Sequence, residues 1–190
     1  MLNLYLLRHG SVESNEHKRY IGVTDEELSE IGHNQARYMS KKSNVEFKRI
    51  ISSPLKRCRQ TAAYFGDFEV DERLLELNFG IFEKKDYMQI QREFKEEYSA
   101  WCRDYKNYKI PQGESLMELF KRVEDFLDDI KKEEGNILIV TSGGVIRCML
   151  SLVFERYDYF YKFEIENCSL SIITTYDGCY WYMKKLNGGV

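Results

Sequence analysis

Residues 4–10, Leu4-Tyr5-Leu6-Leu7-Arg8-His9-Gly10, run from an apolar stretch into a cation, an imidazole and a glycine. Such a pattern reads as a buried strand that delivers two polar side chains to the end of a sheet. Gly10 lets the backbone turn sharply and leaves room beside the imidazole. Arg8 offers a planar fork of donors suited to a phosphate, and His9 a nitrogen nucleophile. An ordinary strand end with a surface Arg-His pair has the same seven letters, so the weight falls on the motifs further along the chain.

Working outward, residues 11–27 are polar and read as a loop of functional length. Ser29 is the expected N-cap of a helix carrying Ile31, Ala36 and Met39. Arg49-Ile50-Ile51-Ser52 reads as a second buried strand. Ser53-Pro54 reads as a helix start, a cap followed by proline at the first helical position, for a helix from Leu55 to Phe65 ended by Gly66. Phe68-Glu69-Val70 is a short third strand. Residues 84–110, charged and aromatic, are expected to form one or two helices inserted over the sheet. Ser115 and Glu118 form a capping box before a helical run through Phe120, Val123, Phe126, Leu127 and Ile130, with Gly135 expected to end it. Ile137-Leu138-Ile139-Val140 is the most strand-like segment and leads into Thr141-Ser142-Gly143-Gly144 and another helix. Asp177-Gly178 between two alternating stretches, 169–175 and 180–186, signals a hairpin. This alternation points to an α/β sandwich with a mostly parallel sheet, in a single domain spanning 1–190.

Composition narrows the function classes. Aromatic residues make up 14% of the chain and the net charge is only −3, so a packed globule is expected rather than disorder. With pI near 5.8 there is no basic footprint for nucleic acid. No apolar run approaches the ~18 residues of a membrane span, and no secretory signal opens the sequence. Five cysteines, odd in number and without a C-x-x-C pair, favour reduced and mostly buried thiols in a cytoplasm. His9, His17 and His33 show no metal-ligand spacing with them, so no metal is expected.

Three strand-to-helix junctions carry polar residues: Arg8-His9-Gly10, Ser52-Ser53-Pro54 with Arg57, and Ser142-Gly143-Gly144. In a parallel sheet all three fall at the carboxyl edge, where ligands bind. A cation at Arg57, in the first turn of a helix, opposes the helix dipole unless an anion sits nearby. The alternative is an Arg57 that simply reaches out to solvent.

Together these motifs resemble the histidine phosphatase superfamily, in its phosphoglycerate-mutase-like branch. The resemblance is carried by Leu7-Arg8-His9-Gly10 with Asn15, and by residues 22–29 with Gly32, Gln35 and Ala36. It continues through residues 52–57 with Gln60-Thr61-Ala62, and through Leu75-Glu76 with Phe79-Gly80 and Glu83. Residues 111–115 and 140–147 complete it, so the matches run in order from residue 4 to about 150. It implies a three-layer α/β/α sandwich and a phosphomonoesterase acting on a small phosphate ester without a cofactor. His9 would be the transiently phosphorylated nucleophile, and Glu76 the acid and base for leaving alcohol and water. Arg8, Asn15, Arg57, Ser142 and the amide of Gly143 would hold phosphoryl oxygens.

One position departs from the family. Directly before Gly143-Gly144, where a second histidine is usual, the chain has Ser142. Losing a charge-assisted hydrogen bond to a phosphoryl group costs on the order of 1.5–3 kcal/mol, or about 10–200-fold in rate. A weakened enzyme, or a phosphate-ligand binding protein that has lost turnover, is therefore the rival expectation; a mutase-like phosphotransferase is another. Residues 97–105 with 111–115 are similar to α-ribazole-5′-phosphate phosphatases of cobalamin assembly. Tyr98, Trp101, Tyr105 and Tyr108 either wall a pocket for an aromatic base or pack a helix face on the core.

Overall fold

The computed structural model describes residues 1–189. Its strands are β1 (Leu2–Arg8), β2 (Arg49–Ser52), β3 (Glu69–Val70), β4 (Gly135–Thr141), β5 (Leu170–Thr175) and β6 (Trp181–Gly188). Its helices are α1 (Glu13–Glu16), α2 (Glu30–Lys42), α3 (Lys56–Ala62), α4 (Tyr87–Glu93), α5 (Lys95–Arg103), α6 (Leu116–Ile130) and α7 (Gly143–Val153). The strands form one sheet in the order β3-β2-β4-β1-β5-β6. The first four in that order are mutually parallel; β5 adds antiparallel to β1, and β6 returns antiparallel to β5 as the expected hairpin.

Side-chain alternation along the central strands builds the layers. Leu4 and Leu6 of β1 and Ile137 and Ile139 of β4 join a core cluster with α6 and α7. Leu7, Leu138 and Val140 point the other way, into a cluster with Ala36 of α2 and Cys58 and Ala62 of α3. Each face of the sheet thus needs its own helical cover, which makes the fold a three-layer α/β/α sandwich. Truncating one of these fully buried leucines to alanine would cost about 2–5 kcal/mol.

Caps agree with the sequence in two helices. Ser29 Oγ accepts from the Gly32 amide at the start of α2, and Ser115 and Glu118 form the reciprocal box of α6. Three helix boundaries differ. Helix α3 begins at Lys56, two residues past the proline, because Leu55 stays extended as its N-cap. Its Lys56 amide is capped from a distant loop by Asp25 Oδ1 at 2.6 Å, and the buried Ser53 hydroxyl is left without a partner among the described residues. It also ends at Ala62, before the expected Phe65. Helix α6 stops at Ile130, and Gly135, at φ +94°, instead makes the turn into β4. The loop after β1 contains one further short turn of helix, α1.

Register places the three polar junctions side by side. Arg8 pairs with Thr141 and Ser52 with Val140, so β1, β2 and β4 end at the same level. Over them, α4 and α5 enclose a separate cluster of Phe82, Ile90, Trp101 and Ile110, with Tyr98, Tyr105 and Tyr108 packed against it. No helix among the described residues is long and apolar enough to cross a membrane. The five cysteines are free thiols; Cys58, Cys148 and Cys168 are buried, Cys102 and Cys179 exposed.

Candidate active site

His9 stands just past the end of β1. Its amide donates to Thr141 O at 3.0 Å and its carbonyl accepts from Cys168 N at 3.1 Å, so the backbone is pinned on both sides. Gly10 is required here: a Cβ would lie 2.5 Å from the Gly32 carbonyl oxygen. The imidazole is buried, with Nδ1 2.8 Å from Gly10 O. A carbonyl can only accept, so Nδ1 carries the proton and Nε2 presents its lone pair. That lone pair accepts from Arg57 Nε at 3.2 Å. Burial first, then the charges of Arg57 and Arg8, hold the His9 pKa well below its ordinary value, which keeps the ring neutral.

Arg57 does not reach solvent; it is fully buried. Its terminal nitrogens donate to Thr24 O and Gly22 O, each at 2.7 Å, while Nε faces His9. The loop that supplies those carbonyls is tied down by Glu83, whose carboxylate accepts from the amides of Gly22, Val23, Thr24 and Phe79 and from the Thr24 hydroxyl. Arg8 donates through one terminal nitrogen to Ile165 O at 2.6 Å, and its buried Nε has no partner among the described residues. Burial is the main reason its pKa falls to about 10, with Glu76 opposing the shift. A buried guanidinium N–H without a partner is a donor with capacity for an acceptor.

Glu76 lies between two elements. Its Oε1 accepts from Leu77 N at 2.7 Å and its Oε2 from Gly144 N at 2.9 Å. The second glycine of the Gly143-Gly144 pair makes this possible, since a Cβ there would sit 2.1 Å from Glu76 Oε1. Behind it, Arg122 donates to the carbonyls of Arg73, Leu75 and Glu76 and pairs with Glu114, which fixes the extended segment carrying Glu76.

The remaining expected residues separate. Gly143 packs against Arg8: a Cβ there would be 3.6 Å from Arg8 Nε. Ser142 is buried as the N-cap of α7, but its hydroxyl caps no amide, and it faces the Cys58 thiol at 3.9 Å. Burial pushes that thiol up to about 11. Asn15 Oδ1 accepts from Asn167 Nδ2 at 3.0 Å and from Val12 N at 3.3 Å. Asn15 also lines a cleft of about 870 Å³ whose inner end is Arg8 and whose rim includes Lys18, Tyr20, Tyr87 and Met88. None of Tyr98, Trp101, Tyr105 and Tyr108 lines this cleft, so of their two readings packing holds. Trp101 is buried in the cluster under α5, with Tyr20 and Tyr98 edge-on to it and Tyr105 against Tyr161.

Several contributors lie outside any motif reading. Asn167 and the Ile165 carbonyl come from the segment before β5, which carries no periodic or capping signal. Gln35 and Gln60, part of the family pattern, serve structure: they accept from Ser11 N and Leu28 N. Thr61 accepts from Gly10 N and donates to Arg57 O. Among the described residues, no three His, Cys, Asp or Glu side chains are grouped to hold a metal ion.

Comparison with known proteins identifies the family. Residues 4–188 match the histidine phosphatase superfamily (branch 1). Phosphoserine phosphatase 1 of Hydrogenobacter thermophilus is 30% identical over 182 residues, covering 91% of this chain and 86% of that protein. A protein of Enterobacter sp. (strain 638) named "Probable phosphoglycerate mutase" is 33% identical over 186 residues, covering 91% and 85%. The crystal structure of the alpha-ribazole phosphatase from Shigella flexneri superposes with a TM-score of 0.91 at 27% identity, over 99% of this chain and 97% of that one. The chain is a member of the histidine phosphatase superfamily.

Proposed function

We propose that the protein is a phosphomonoesterase that works through a phosphohistidine at His9 on a small phosphate ester. The observation that carries this reading is the imidazole itself: neutral, its Nδ1 tied to Gly10 O, and its Nε2 lone pair facing the Arg57 guanidinium, with the charge of Arg8 nearby. In the first step Nε2 attacks phosphorus, forming a P–N bond as the P–O bond to the alcohol breaks. Glu76 gives its proton to the departing oxygen. In the second step Glu76 takes a proton from water, whose oxygen attacks phosphorus and breaks the P–N bond, releasing inorganic phosphate. Arg8, Arg57, Asn15 and the Gly143 amide stabilise the phosphoryl charge throughout. Once Nε2 is bonded to phosphorus it no longer accepts from Arg57, whose Nε–H, held in the same direction, is left to meet a phosphoryl oxygen.

The α-ribazole 5′-phosphate assignment draws support from the likeness to the Shigella flexneri enzyme, not from an aromatic wall. A ring substrate would meet Tyr20 and Tyr87 on the cleft instead. Phosphoserine and phosphoglycerate are the competing esters suggested by the relatives' names. Free thiols favour a reducing, cytoplasmic setting.

Ser142 favours a second reading, a phosphate-binding protein with little turnover, because an uncharged hydroxyl facing a thiol stands where the family usually has an imidazole. A turnover screen of the three esters and p-nitrophenyl phosphate, on the parent and on Ser142→His, decides between them. Slow parent turnover that rises at least about tenfold in the histidine variant is expected. Phosphate binding with no turnover in either protein would establish the binding role instead. Retention of the phosphoryl group on an acceptor alcohol, rather than its release, would indicate a mutase-like phosphotransferase.

A further inference from the structure

Glu83 touches neither His9 nor the cleft, yet it is among the most heavily coordinated carboxylates in the molecule. Gly22 N lies 3.0 and 3.1 Å from its two oxygens, Val23 N and Thr24 N at 3.2 Å, Thr24 Oγ at 2.6 Å and Phe79 N at 3.0 Å. A carboxylate that gathers successive amides fixes their peptide planes, and so fixes where the intervening carbonyls point. Two carbonyls of that same loop, Gly22 O and Thr24 O, receive the terminal nitrogens of Arg57. The loop also lies backbone to backbone on the segment after Glu76: a Cβ on Gly22 would fall 1.8 Å from Leu77 O. Glu83 is itself placed by a two-way backbone pairing of Tyr20 with Lys84 and Lys85.

We infer that Glu83 is a positioning residue for catalysis: it orients the 22–24 carbonyls that aim Arg57 at His9 Nε2 and at the phosphoryl group bound there. This rests on the phosphohistidine reading above. A guanidinium whose two terminal nitrogens are held by carbonyls keeps its plane, and hence its Nε–H direction, only while those carbonyls keep theirs. Glutamine at position 83 retains one acceptor oxygen but turns an NH2 group toward amides that need an acceptor. The loop would then relax, and Arg57 with it. Misplacement of a charged group by about 1 Å can cost about 100-fold in rate.

The test is a double-mutant cycle on kcat/KM for p-nitrophenyl phosphate and, separately, on vanadate affinity, using Glu83→Gln and Arg57→Lys in the full chain. Glu83→Gln is expected to lower kcat/KM by roughly 10–100-fold, mainly through kcat, and to weaken vanadate binding. In the Arg57→Lys background the same change should cost less than about threefold, because the group it positions is already gone. Glu83→Asp, which keeps the charge, should recover part of the loss. Independent, multiplying effects in a folded double variant would overturn the inference, since a purely structural carboxylate acts regardless of residue 57. So would a folded Glu83→Gln protein with parental turnover and vanadate affinity. If Glu83→Gln does not fold, Glu83→Asp carries the same cycle. A parent chain that neither turns over esters nor binds vanadate would instead defeat the phosphatase reading, and this inference with it.

Discussion

In the buried cluster behind Arg8, His9, Arg57 and Glu76 are held by main-chain groups: Gly10 O, Gly22 O, Thr24 O, and the amides of Leu77 and Gly144. At the rim of the cleft, Lys18, Tyr87 and Met88 project into solvent, and Tyr87 and Met88 are more than half exposed. Main-chain partners cannot change rotamer, so this cluster is preorganised for one charge distribution, and on the proposed phosphatase reading little would be lost in ordering it when phosphate arrives. Exposed side chains hop among rotamers and lose entropy when a substrate orders them, so the rim can adapt to different alcohols at modest affinity. Related proteins with names as different as phosphoserine phosphatase and alpha-ribazole phosphatase are what such a division allows.

Substitutions that touch each region should separate by orders of magnitude. His9→Ala removes the proposed nucleophile and is expected to lower turnover at least about 1,000-fold while circular dichroism stays native. Rapid quenching of the parent with labelled substrate should trap acid-labile phosphate on His9. Substantial turnover by the alanine variant would take phosphohistidine chemistry away from this site, and the contrast between cluster and rim with it.

Glu76→Gln comes next. With poor leaving groups a drop of about 100–10,000-fold in kcat is expected, against a much smaller one for p-nitrophenyl phosphate, whose alcohol needs little protonation. Phosphate inhibition should change less than kcat, because proton transfer, and not anion binding, has been removed. Equal losses for both esters would show that Glu76 serves only to hold Gly144 and Leu77.

Tyr87→Ala probes the rim and should have the smallest effect. If a ring of the substrate stacks there, KM rises by about 2–12-fold, the worth of one aromatic pair, while kcat holds. A fall in kcat comparable to that of Glu76→Gln would break the distinction between fixed interior and adaptable rim. No change in KM for any ester would move the leaving group to another wall of the cleft.

The parts of this site that can be read along the chain are those encoded within a few residues. Arg8-His9-Gly10 after an apolar strand places a candidate nucleophile at a sheet edge, and Ser142-Gly143-Gly144 after β4 marks a second strand-to-helix junction at the same edge. The unbroken apolar run Ile137-Leu138-Ile139-Val140 announces a strand, and the structure covers it on both faces. Each is a local pattern whose meaning follows from backbone geometry alone.

Helix periodicity, by contrast, reports that one face of α5 is covered but not by what. Trp101 fits a ligand wall and an apolar cluster equally well in sequence; its neighbours Phe82 and Tyr20 decide for the cluster. The start of α3 departs from the Ser53-Pro54 signal for a similar reason, since its cap, Asp25, lies 31 residues upstream of Lys56.

By itself the sequence determined an α/β sandwich with a mostly parallel sheet and the identity of the candidate nucleophile, because strand and helix patterns are properties of neighbours in the chain. Only the tertiary structure decided that Arg57 is buried and aimed by carbonyls from residues 22 and 24, that Glu83 knots their loop, that Asn167 closes on Asn15, and that Ser142 faces a thiol. These are contacts between groups 33 to 152 positions apart, and a buried polar group takes whichever partner the fold brings within about 3 Å.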